Sequence, residues 1–469
     1  MPDEPHNKKP VIIVGAGPSG LLLALLLSQR GIPVRIVEAE AQLDDQPRAA
    51  HYGSAALPDL DRAGVLAEVK KRGIIITDFA FRYAVPAGSP EDKDGSGFAH
   101  IATLDTSCVS DVDGFDYRSH CLVLQDLDAL MLEMLIDRLG DDIVSWRHRV
   151  LDVGQDEERK VAWVDVATPE GRKRVEGDYV VGCDGAASQV RRSLFGQDYP
   201  GFTWEKQIVA TNTYYDFTKF GWGDVSMVIH PDNFFMAAKM DSDGLYRVTY
   251  GEKPGLTTEQ MRARQAARFE EILPGHPKPS DYTVVNFSPY KMHRTLTSGL
   301  VCCCYLDSTH STHSTYPMQP LTRHSSVIER CAPSFRVGRI LLAADAAHLC
   351  NPWGGLGITG GFVDVGGLAD CFIGINEGLA DESILDLYSE KRMEKWRTVT
   401  DPISQGNFRR IGHTEDPSSL GQTDEFMQLL KKAEKDPQLA KNLAMGSLSL
   451  RYDFTQHYRQ KDCATSASQ

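Results

Sequence analysis

Apolar and polar positions change their spacing three times along this chain. Residues 11–40 contain two short apolar runs around a glycine turn and an apolar helix, ending in an acid, which predicts strand, turn, helix and strand. Residues 122–140 carry apolar positions at spacings of three and four, which predicts an amphipathic helix. Residues 202–290 carry aromatic and β-branched runs typical of an antiparallel sheet, with one helix over 257–273. Residues 336–348 return to a buried strand and a turn.

This order predicts an α/β fold in which a Rossmann-like nucleotide-binding domain is interrupted by a substrate domain, mainly an antiparallel β-sheet, and followed by a helical C-terminus. The expected nucleotide-binding parts are 9–76, 118–201 and 336–412. The expected substrate-domain parts are 77–117 and 202–335, with an atypical loop at 294–329, and a helical tail follows at 413–469.

The glycine turn has the spacing of a dinucleotide site. Gly15, Gly17 and Gly20 form G-x-G-x-x-G between a strand and a helix, and Glu38 follows the second strand. The glycines permit a tight turn, close backbone approach to a pyrophosphate and close packing of the helix, whereas the acid accepts hydrogen bonds from a ribose. The competing interpretation is a plain buried βαβ unit.

Composition narrows the class of protein. The 469 residues are 42% hydrophobic and carry a net charge of -14, which argues against nucleic-acid or anionic-membrane partners. The ten cysteines include no C-x-x-C, and the first ten residues do not resemble a signal peptide. We expect a reduced, soluble cytoplasmic protein without a membrane span, as a monomer or homodimer.

Two later segments have the composition of further nucleotide contacts. Asp184 and Gly185 follow a buried strand and precede a helix start at Ser188; capping of that helix by Asp184 or Ser188 is the alternative. Asp345 ends another buried strand, where its carboxylate can bind a polyol hydroxyl. A loop whose backbone N–H groups can meet a ring carbonyl or an anion comes next, with Pro352, Gly354, Gly355 and Gly357.

Segment 294–329 fits neither domain. It holds three adjacent cysteines and several histidines, but three adjacent thiols cannot readily share one tetrahedral ion, and the spacing matches no zinc pattern. We therefore predict no metal and a surface loop, with translated intron sequence as the alternative for this segment. The residues in question are Cys302, Cys303, Cys304, His310, His313 and His324.

The three motifs together resemble the class A flavoprotein aromatic hydroxylases, typified by para-hydroxybenzoate hydroxylase, and within them the fungal monooxygenases of phenolic or polyketide-derived metabolites. The resemblance covers about 9–293 and 330–400. It departs from the family at Ala344, where relatives have glycine, and at Thr359, where many have asparagine and where a hydroxyl donor is retained. It implies FAD contacts from Gly15, Gly17, Gly20, Glu38, Arg48, Gln125, Asp184, Gly185, Arg191, Asp345, Pro352, Gly354, Gly355, Gly357 and Ile358, with Asp184, Gly185 and Arg191 also serving NADPH.

The resemblance implies a monooxygenase that uses FAD, NADPH or NADH, and O2 to hydroxylate a small electron-rich phenolic metabolite through a flavin C4a-hydroperoxide. A cation or hydroxyl near the phenolic oxygen favours the reactive phenolate; Arg192, Tyr215 and His51 are the candidates. Each has a plainer interpretation: a surface ion pair, a sheet residue and a buried histidine. A flavin oxidoreductase without oxygen insertion and a non-enzymatic nucleotide-binding protein remain as alternatives.

Overall fold

A computed structural model describes residues 8–44, 51–204, 206–289 and 327–459. In chain order its strands are β1 (Val11–Val14), β2 (Val34–Val37), β3 (His51–Tyr52), β4 (Ile74–Ile75), β5 (Asp78–Ala84), β6 (Phe98–Asp105), β7 (His120–Cys121), β8 (Val144–Ser145), β9 (Arg149–Asp156), β10 (Val161–Thr168), β11 (Gly171–Gly177), β12 (Tyr179–Gly182), β13 (Gly201–Trp204), β14 (Gln207–Tyr214), β15 (Val225–Ile229), β16 (Phe235–Lys239), β17 (Leu245–Glu252), β18 (Thr283–Pro289), β19 (Val327–Cys331), β20 (Arg336–Val337), β21 (Ile340–Leu342) and β22 (His348–Leu349).

The α-helices connect and cover these strands. They are α1 (Pro18–Ser28), α2 (Leu57–Arg62), α3 (Leu66–Arg72), α4 (Leu124–Leu139), α5 (Gln189–Phe195), α6 (Thr258–Ile272), α7 (Leu356–Asn376), α8 (Ile384–Lys395), α9 (Asp401–Gly412), α10 (Leu420–Thr423), α11 (Glu425–Ala433) and α12 (Pro437–Ala444).

The first βαβ unit is the centre of a six-stranded sheet with the order β20-β21-β12-β1-β2-β8. Its strands are parallel except for the antiparallel edge strand β20. Helix α1 packs against both α4 and α7, so it is apolar and buried on every side rather than amphipathic. The predicted strand, turn, helix and strand is therefore confirmed, and the sheet leaves the carboxyl ends of β1, β12 and β21 at one edge.

The inserted unit is a seven-stranded sheet with the order β18-β14-β17-β16-β15-β5-β6. Pairing is antiparallel except between β15 and β5. The α/β fold class with an inserted, mainly antiparallel sheet and a helical C-terminus is confirmed. The exact domain boundaries stay predictions.

One expected strand lies elsewhere. Strand β13 pairs with β19, and β19 pairs with β22, in a separate three-stranded sheet rather than in the seven-stranded one. Of segment 294–329, only 327–329 are described, at the start of β19. The cysteine triplet and the three histidines of that segment lie outside the described residues.

The seven-stranded sheet has two different faces. The helix face packs under α6 through an aromatic cluster that includes Phe235, Tyr246, Tyr250 and Phe269. The opposite face, which we call the domain face, meets the six-stranded-sheet domain and the C-terminal helices. At one end of the domain face Ile208 and Ile229 cluster with Phe234, Trp353 and Phe408; at the other end Ala238, Met240 and Leu245 cluster with Cys121.

Helix α7 is long and apolar enough to cross a membrane by length and composition alone. It has 21 residues, and 83% of its most apolar window is buried inside the protein. Burial of that kind is what a core helix shows, since α7 packs on α1, α2 and α8.

Candidate active site

The turn between β1 and α1 combines tight packing with one open position. Gly15 has φ +107°, and a Cβ there would lie 2.5 Å from the Cys183 carbonyl oxygen. A Cβ on Gly20 would lie 2.1 Å from the Gly15 carbonyl oxygen. Gly17, the N-cap of α1, has no atom within 4 Å of that position. The helix therefore presents its free N–H groups and positive end to open space where a phosphate fits.

Glu38 is fixed beside this turn at the end of β2. Its two carboxylate oxygens accept hydrogen bonds from the backbone N–H groups of Ala16 and Glu40, each at 2.8 Å. A carboxylate offers about four lone-pair sites, so two remain for the hydroxyls of a ribose. This arrangement fits the predicted role of Glu38 in ribose binding. It also shows a structural role that the sequence did not indicate, because Glu38 holds the turn between β1 and α1 in place.

The second motif holds its own helix in place. Asp184 Oδ2 accepts from the backbone N–H groups of Gln189 (2.6 Å) and Val190 (3.1 Å), and Ser188 Oγ accepts from Arg191 N (2.9 Å). Both capping roles that competed with a ligand role are thus present. Gly185, at φ +74°, is open, because no atom lies within 4 Å of a Cβ placed on it. Direct contact of this motif with FAD or NADPH stays a prediction.

Arg191 joins the second motif to the third. Its guanidinium donates to the carbonyl oxygens of Ala346 (2.9 Å) and Ala186 (2.7 Å) and lies 3.7 Å from the ring centroid of Tyr199. The side chain is 4% exposed. These bonds join the two turns through Arg191, and its predicted contact with FAD and NADPH stays a prediction.

The third motif shows why a missing glycine is tolerated. Ala344 has φ +55°, a left-handed conformation that costs an L-residue about 1–2 kcal/mol. Its N–H donates to Asp364 Oδ2 at 3.0 Å, and Asp364 also pairs with His348 (2.7 Å) and Arg392 (2.6 Å). Burial alone would raise the pKa of Asp364, but these two neighbours outweigh it and lower the pKa to about 2. A buried carboxylate thus holds the turn, and Asp345 is left exposed at its tip.

The loop before α7 ends in an open helix terminus. Pro352 begins a single 3-10 turn that ends at Gly354, and Gly355 then takes φ +63° before α7 starts. Thr359 Oγ1 donates to the Gly355 carbonyl at 3.1 Å and accepts from Gly53 N at 3.1 Å. The Thr359 hydroxyl is therefore committed within the protein, and it ties the end of β3 to α7.

These open positions follow one edge of the six-stranded sheet. No atom lies within 4 Å of a Cβ placed on Gly17, Gly185, Gly355 or Gly357, whereas Gly15 and Gly20 are tightly packed. Such a cradle at the carboxyl ends of parallel strands fits an extended dinucleotide. The residues present therefore fit FAD, with Ile358 half-buried in the first turn of α7. Gln125 is the second residue of α4, and Arg48 lies outside the described residues.

His51 lies where the two domains meet. Its Nε2 is 2.8 Å from the Lys239 carbonyl oxygen at the end of β16. Because a carbonyl only accepts, Nε2 carries the hydrogen and Nδ1 holds the lone pair in the neutral ring. Burial lowers the pKa of His51 to about 4, opposed by the bond to Lys239 and assisted by the charge of Arg247, so the imidazole is neutral at physiological pH.

Arg247 and Asn212 form a polar pair that sequence reasoning missed. Arg247 Nε donates to Asn212 Oδ1 at 3.1 Å, and the two residues are 7% and 8% exposed. Tyr246 and Val248 belong to the helix-face cluster, so alternation puts Arg247 on the domain face. Its charge also acts on Cys121 and Tyr52, as it does on His51. The available signal was a lone arginine within the buried run LYRVTYG.

Comparison with known proteins supplies the family. A model of the FAD binding domain family matches residues 8–402. The chain is 33% identical over 398 residues to para-nitrophenol 4-monooxygenase of Pseudomonas sp. (strain WBC-3), covering 85% of this chain and 86% of that enzyme. The chain belongs to the class A FAD-dependent aromatic hydroxylase family.

Further relatives agree with this assignment. The hydroxylase is 34% identical over 408 residues to 6-hydroxy-3-succinoylpyridine 3-monooxygenase of Pseudomonas putida, covering 87% and 90% of the two chains. The crystal structure of p-nitrophenol 4-monooxygenase PnpA from Pseudomonas putida superimposes with a TM-score of 0.77 at 30% identity, covering 94% and 98%. Aklavinone-11 hydroxylase, with FAD and aklavinone, shares the fold at a TM-score of 0.66 and 19% identity, covering 90% and 71%.

The protein is therefore an FAD-dependent aromatic monooxygenase of the nitrophenol and hydroxypyridine hydroxylase type, with NAD(P)H as co-substrate. This corrects the two alternatives, a flavin oxidoreductase without oxygen insertion and a non-enzymatic nucleotide-binding protein. The Pseudomonas relatives named here are bacterial, and the expected likeness to fungal enzymes stays a prediction.

Arg192 does not meet the ring-binding expectation in this hydroxylase. Its Nη2 donates to Gln189 Oε1 at 3.1 Å, and Gln189 Nε2 donates in turn to the Leu151 carbonyl of β9 at 3.1 Å. Helix α5 packs on β9, an edge strand of the three-stranded antiparallel sheet with the order β11-β10-β9. The guanidinium thus lies on the β9 side of α5, whereas we expected it to point toward the inserted sheet.

Tyr215 is likewise separated from His51. Its hydroxyl donates to the Pro274 carbonyl at 2.5 Å, and its ring packs edge-on against Phe217 in the helix-face cluster. Burial raises the pKa of this phenol to about 12. The expectation that Tyr215 faces the substrate is corrected by this position, because alternation decides the face and the sequence pattern around the strand end did not reveal it.

A metal cluster is not found among residues 8–44, 51–204, 206–289 and 327–459, where no group of three His, Cys, Asp or Glu side chains converges.

Proposed function

We propose that this hydroxylase inserts one oxygen atom into an aromatic ring that carries an ionisable hydroxyl group, a phenol or a hydroxypyridine. FAD reduced by NAD(P)H supplies the activated oxygen when it is bound. The ring lies between the domain face of the seven-stranded sheet and the first turn of α7. The observation that carries this proposal is the span of polar sheet surface between two fixed contacts with the FAD-binding domain.

The two contacts are at opposite ends of β17. At one end Leu245 clusters with Cys121 beside β3. At the other end Gly251 lies against Phe234, whose ring centroid is 5.4 Å from that of Trp353 in the loop before α7. Leu245 and Gly251 are six residue steps apart along the strand, or about 20 Å. That length suits an aromatic ring placed end to end with the reactive part of a flavin.

His51 is the proposed contact of the ring hydroxyl. Its neutral Nδ1 is a hydrogen-bond acceptor, and the Lys239 carbonyl fixes the ring orientation. Because burial keeps the pKa of His51 near 4, the imidazole is too weak a base to hold the proton of a phenol at neutral pH. We infer that it orients the hydroxyl and passes the proton on, while the charge that stabilises an ionised ring comes from elsewhere.

The activities named for two relatives indicate which substrate classes to consider. Those proteins are a para-nitrophenol monooxygenase and a 6-hydroxy-3-succinoylpyridine monooxygenase. A phenolic secondary metabolite as substrate, passage through a flavin hydroperoxide, a cytoplasmic location and a monomeric or homodimeric state stay predictions.

The test starts from the purified yellow protein. 4-Nitrophenol, simple phenolic acids, resorcinols and hydroxypyridines are screened for stimulated oxidation of NADPH and NADH, and products are analysed after reaction under isotopically labelled O2. We expect labelled oxygen in the product of at least one ring. Reduction of FAD with no labelled product from any ring would contradict the proposal. Gly17→Arg, which fills the open turn, is the control and should purify without flavin.

A further inference from the structure

We propose that Glu329 is the positioning residue of the loop before α7. It fixes the side chain of Asn351, and through Asn351 it fixes the turn from Pro352 to Gly354 at the FAD cradle. This role concerns the flavin-binding site that the family shares, so it is independent of which aromatic ring is the substrate. No motif indicated Glu329, which lies 22 positions before Asn351 at the end of the segment predicted as a surface loop.

Glu329 is a fully buried carboxyl group on β19. Its Oε1 accepts hydrogen bonds from Asn351 Nδ2, from Asn351 N at 3.3 Å and from Ser404 Oγ at 3.1 Å. Within the described residues its Oε2 has no hydrogen-bond partner. Burial raises the pKa of Glu329 to about 7, although the bonds from Asn351 and Ser404 oppose the rise. An apolar side chain would be less costly to bury here, so packing alone does not account for this carboxyl group.

The bond to Glu329 determines which way the Asn351 amide points. An asparagine amide can turn over, which exchanges its oxygen with its nitrogen. Because Glu329 Oε1 accepts, Nδ2 faces Glu329, and Oδ1 accepts from Trp353 N at 3.0 Å. Asn351 is 1% exposed and caps the 3-10 turn of the loop. An amide that turned over would bring two donors together at Trp353 N and leave that buried N–H unsatisfied.

Helix α9 holds the same loop from a second side. The Ser404 hydroxyl is also 3.3 Å from the Asn351 carbonyl oxygen, so it shares its one hydrogen between this oxygen and Glu329. Asn407 Nδ2 donates to the Trp353 carbonyl at 3.2 Å. The loop is thus attached to β19 by Glu329 and to α9 by Ser404 and Asn407.

Two functional surfaces depend on the position of this loop. On one side Gly355, at φ +63°, leads into the first turn of α7 and is one of the open positions of the cradle. On the other side the ring centroid of Trp353 is 5.4 Å from that of Phe234, and both rings cluster with Phe408 at one end of the domain face. A displacement of Asn351 would therefore move the cradle and one border of the ring site together.

The experiment measures FAD binding to the apo-protein in the absence of an aromatic substrate. Glu329→Met replaces the carboxyl group by an apolar chain of similar length. Asn351→Asp keeps the cap on Trp353 N but removes the donor to Glu329. In each variant we expect the dissociation constant of FAD to rise about 10-fold, as for one buried group left unsatisfied, and the visible absorption bands of bound flavin to shift. Glu329→Gln keeps an acceptor oxygen and should stay within about threefold of the wild type.

A double variant tests whether Glu329 acts through Asn351. If it does, Glu329→Met combined with Asn351→Asp should raise the dissociation constant no further than the larger single change, because residues that act through one contact are not additive. Glu252→Met is the matched control. It removes a carboxyl group that is 7% exposed and pairs with Arg264 of α6 at 3.1 Å. It should lower the free energy of unfolding and leave the affinity and spectrum of FAD unchanged.

The outcomes separate positioning from stability. If folded Glu329→Met and Asn351→Asp bind FAD as tightly as the wild type with unchanged bands, and only the free energy of unfolding falls, Glu329 is structural and the proposal is overturned. Additive losses in the double variant would overturn the route through Asn351. If Glu329→Met does not fold, Asn351→Asp decides by the same two readouts. Since no aromatic ring is present, failure of the proposed substrate class would leave these results unchanged.

Discussion

Arg82 and Arg247 lie on opposite faces of one seven-stranded sheet, and each is 7% exposed. Arg82 lies 4.9 Å from the ring centroid of Trp222 and 3.5 Å from the Asp94 carboxylate. The carboxylate of Asp94 therefore balances its charge on the helix face. Arg247 donates from Nε to the amide oxygen of Asn212, and its charge acts on His51. The two arginines are thus held by different partners on the two faces.

This difference indicates which face of the seven-stranded sheet carries candidate functional residues. On the helix face, aromatic rings interlock under α6, and Tyr215 uses its hydroxyl to fasten a loop. On the domain face, polar side chains are buried in front of a cofactor cradle. Polar groups are costly to bury, so the buried pair Arg247 and Asn212 beside an open cradle is a candidate functional position.

The largest effect is expected on the helix face. Phe269 is fully buried, with ring centroids 5.8 Å from Tyr250 and 5.1 Å from Tyr282. Phe269→Ala should lower the free energy of unfolding by about 3–5 kcal/mol through loss of burial and the cavity left behind. Product formed per NAD(P)H should not change in the folded fraction. Denaturant titration measures the free energy of unfolding. Phe202→Ala, at a ring that is 40% exposed, is the control.

The next effect is expected on the domain face. His51→Gln keeps an N–H donor for the Lys239 carbonyl but removes the acceptor Nδ1. The rate of product formation should fall up to about 10-fold, as expected for one lost hydrogen bond between uncharged groups, with more H2O2 released. Arg192→Ala should keep wild-type coupling. Equal coupling in wild type and His51→Gln would assign His51 to structure alone.

The pH dependence of stability sharpens the same contrast. Burial lowers the pKa of His51 from 6.5 to about 4, so the unfolded chain binds this proton more readily than the folded one. The stability contributed by the neutral ring is complete above pH 6.5 and is lost as pH falls toward 4. Between pH 7 and 5 the wild type should lose about 1–2 kcal/mol more than His51→Gln, allowing for partial exposure of the ring. Parallel profiles of the two proteins would contradict this.

The smallest effect is expected from Tyr215→Phe. Loss of the hydrogen bond to the Pro274 carbonyl should cost about 1 kcal/mol of folding stability and leave the coupling of hydroxylation unchanged. Tyr214→Phe, at a side chain that is 39% exposed, is the matched control and should cost less. A drop in coupling with Tyr215→Phe would show that the two faces communicate.

Much of the cradle was predictable from local sequence. Gly15, Gly17, Gly20 and Glu38 follow from short-range sterics and helix-end electrostatics, which a spacing of a few residues encodes. Thr359 was harder to predict, because its hydrogen-bond partner Gly53 is 306 positions away along the chain.

The sequence by itself determined the glycine turn, the alternation of apolar runs and therefore the α/β class and the family, because these depend on neighbours within one turn or strand. The tertiary structure decided which face of the inserted sheet meets the cradle. That choice left Tyr215 under α6, Arg192 over β9, and Arg247 beside Asn212 on the domain face. It also supplied Asp364, His348 and Arg392 to hold Ala344. Long-range packing sets these contacts, and no local sequence pattern specifies which distant residues meet.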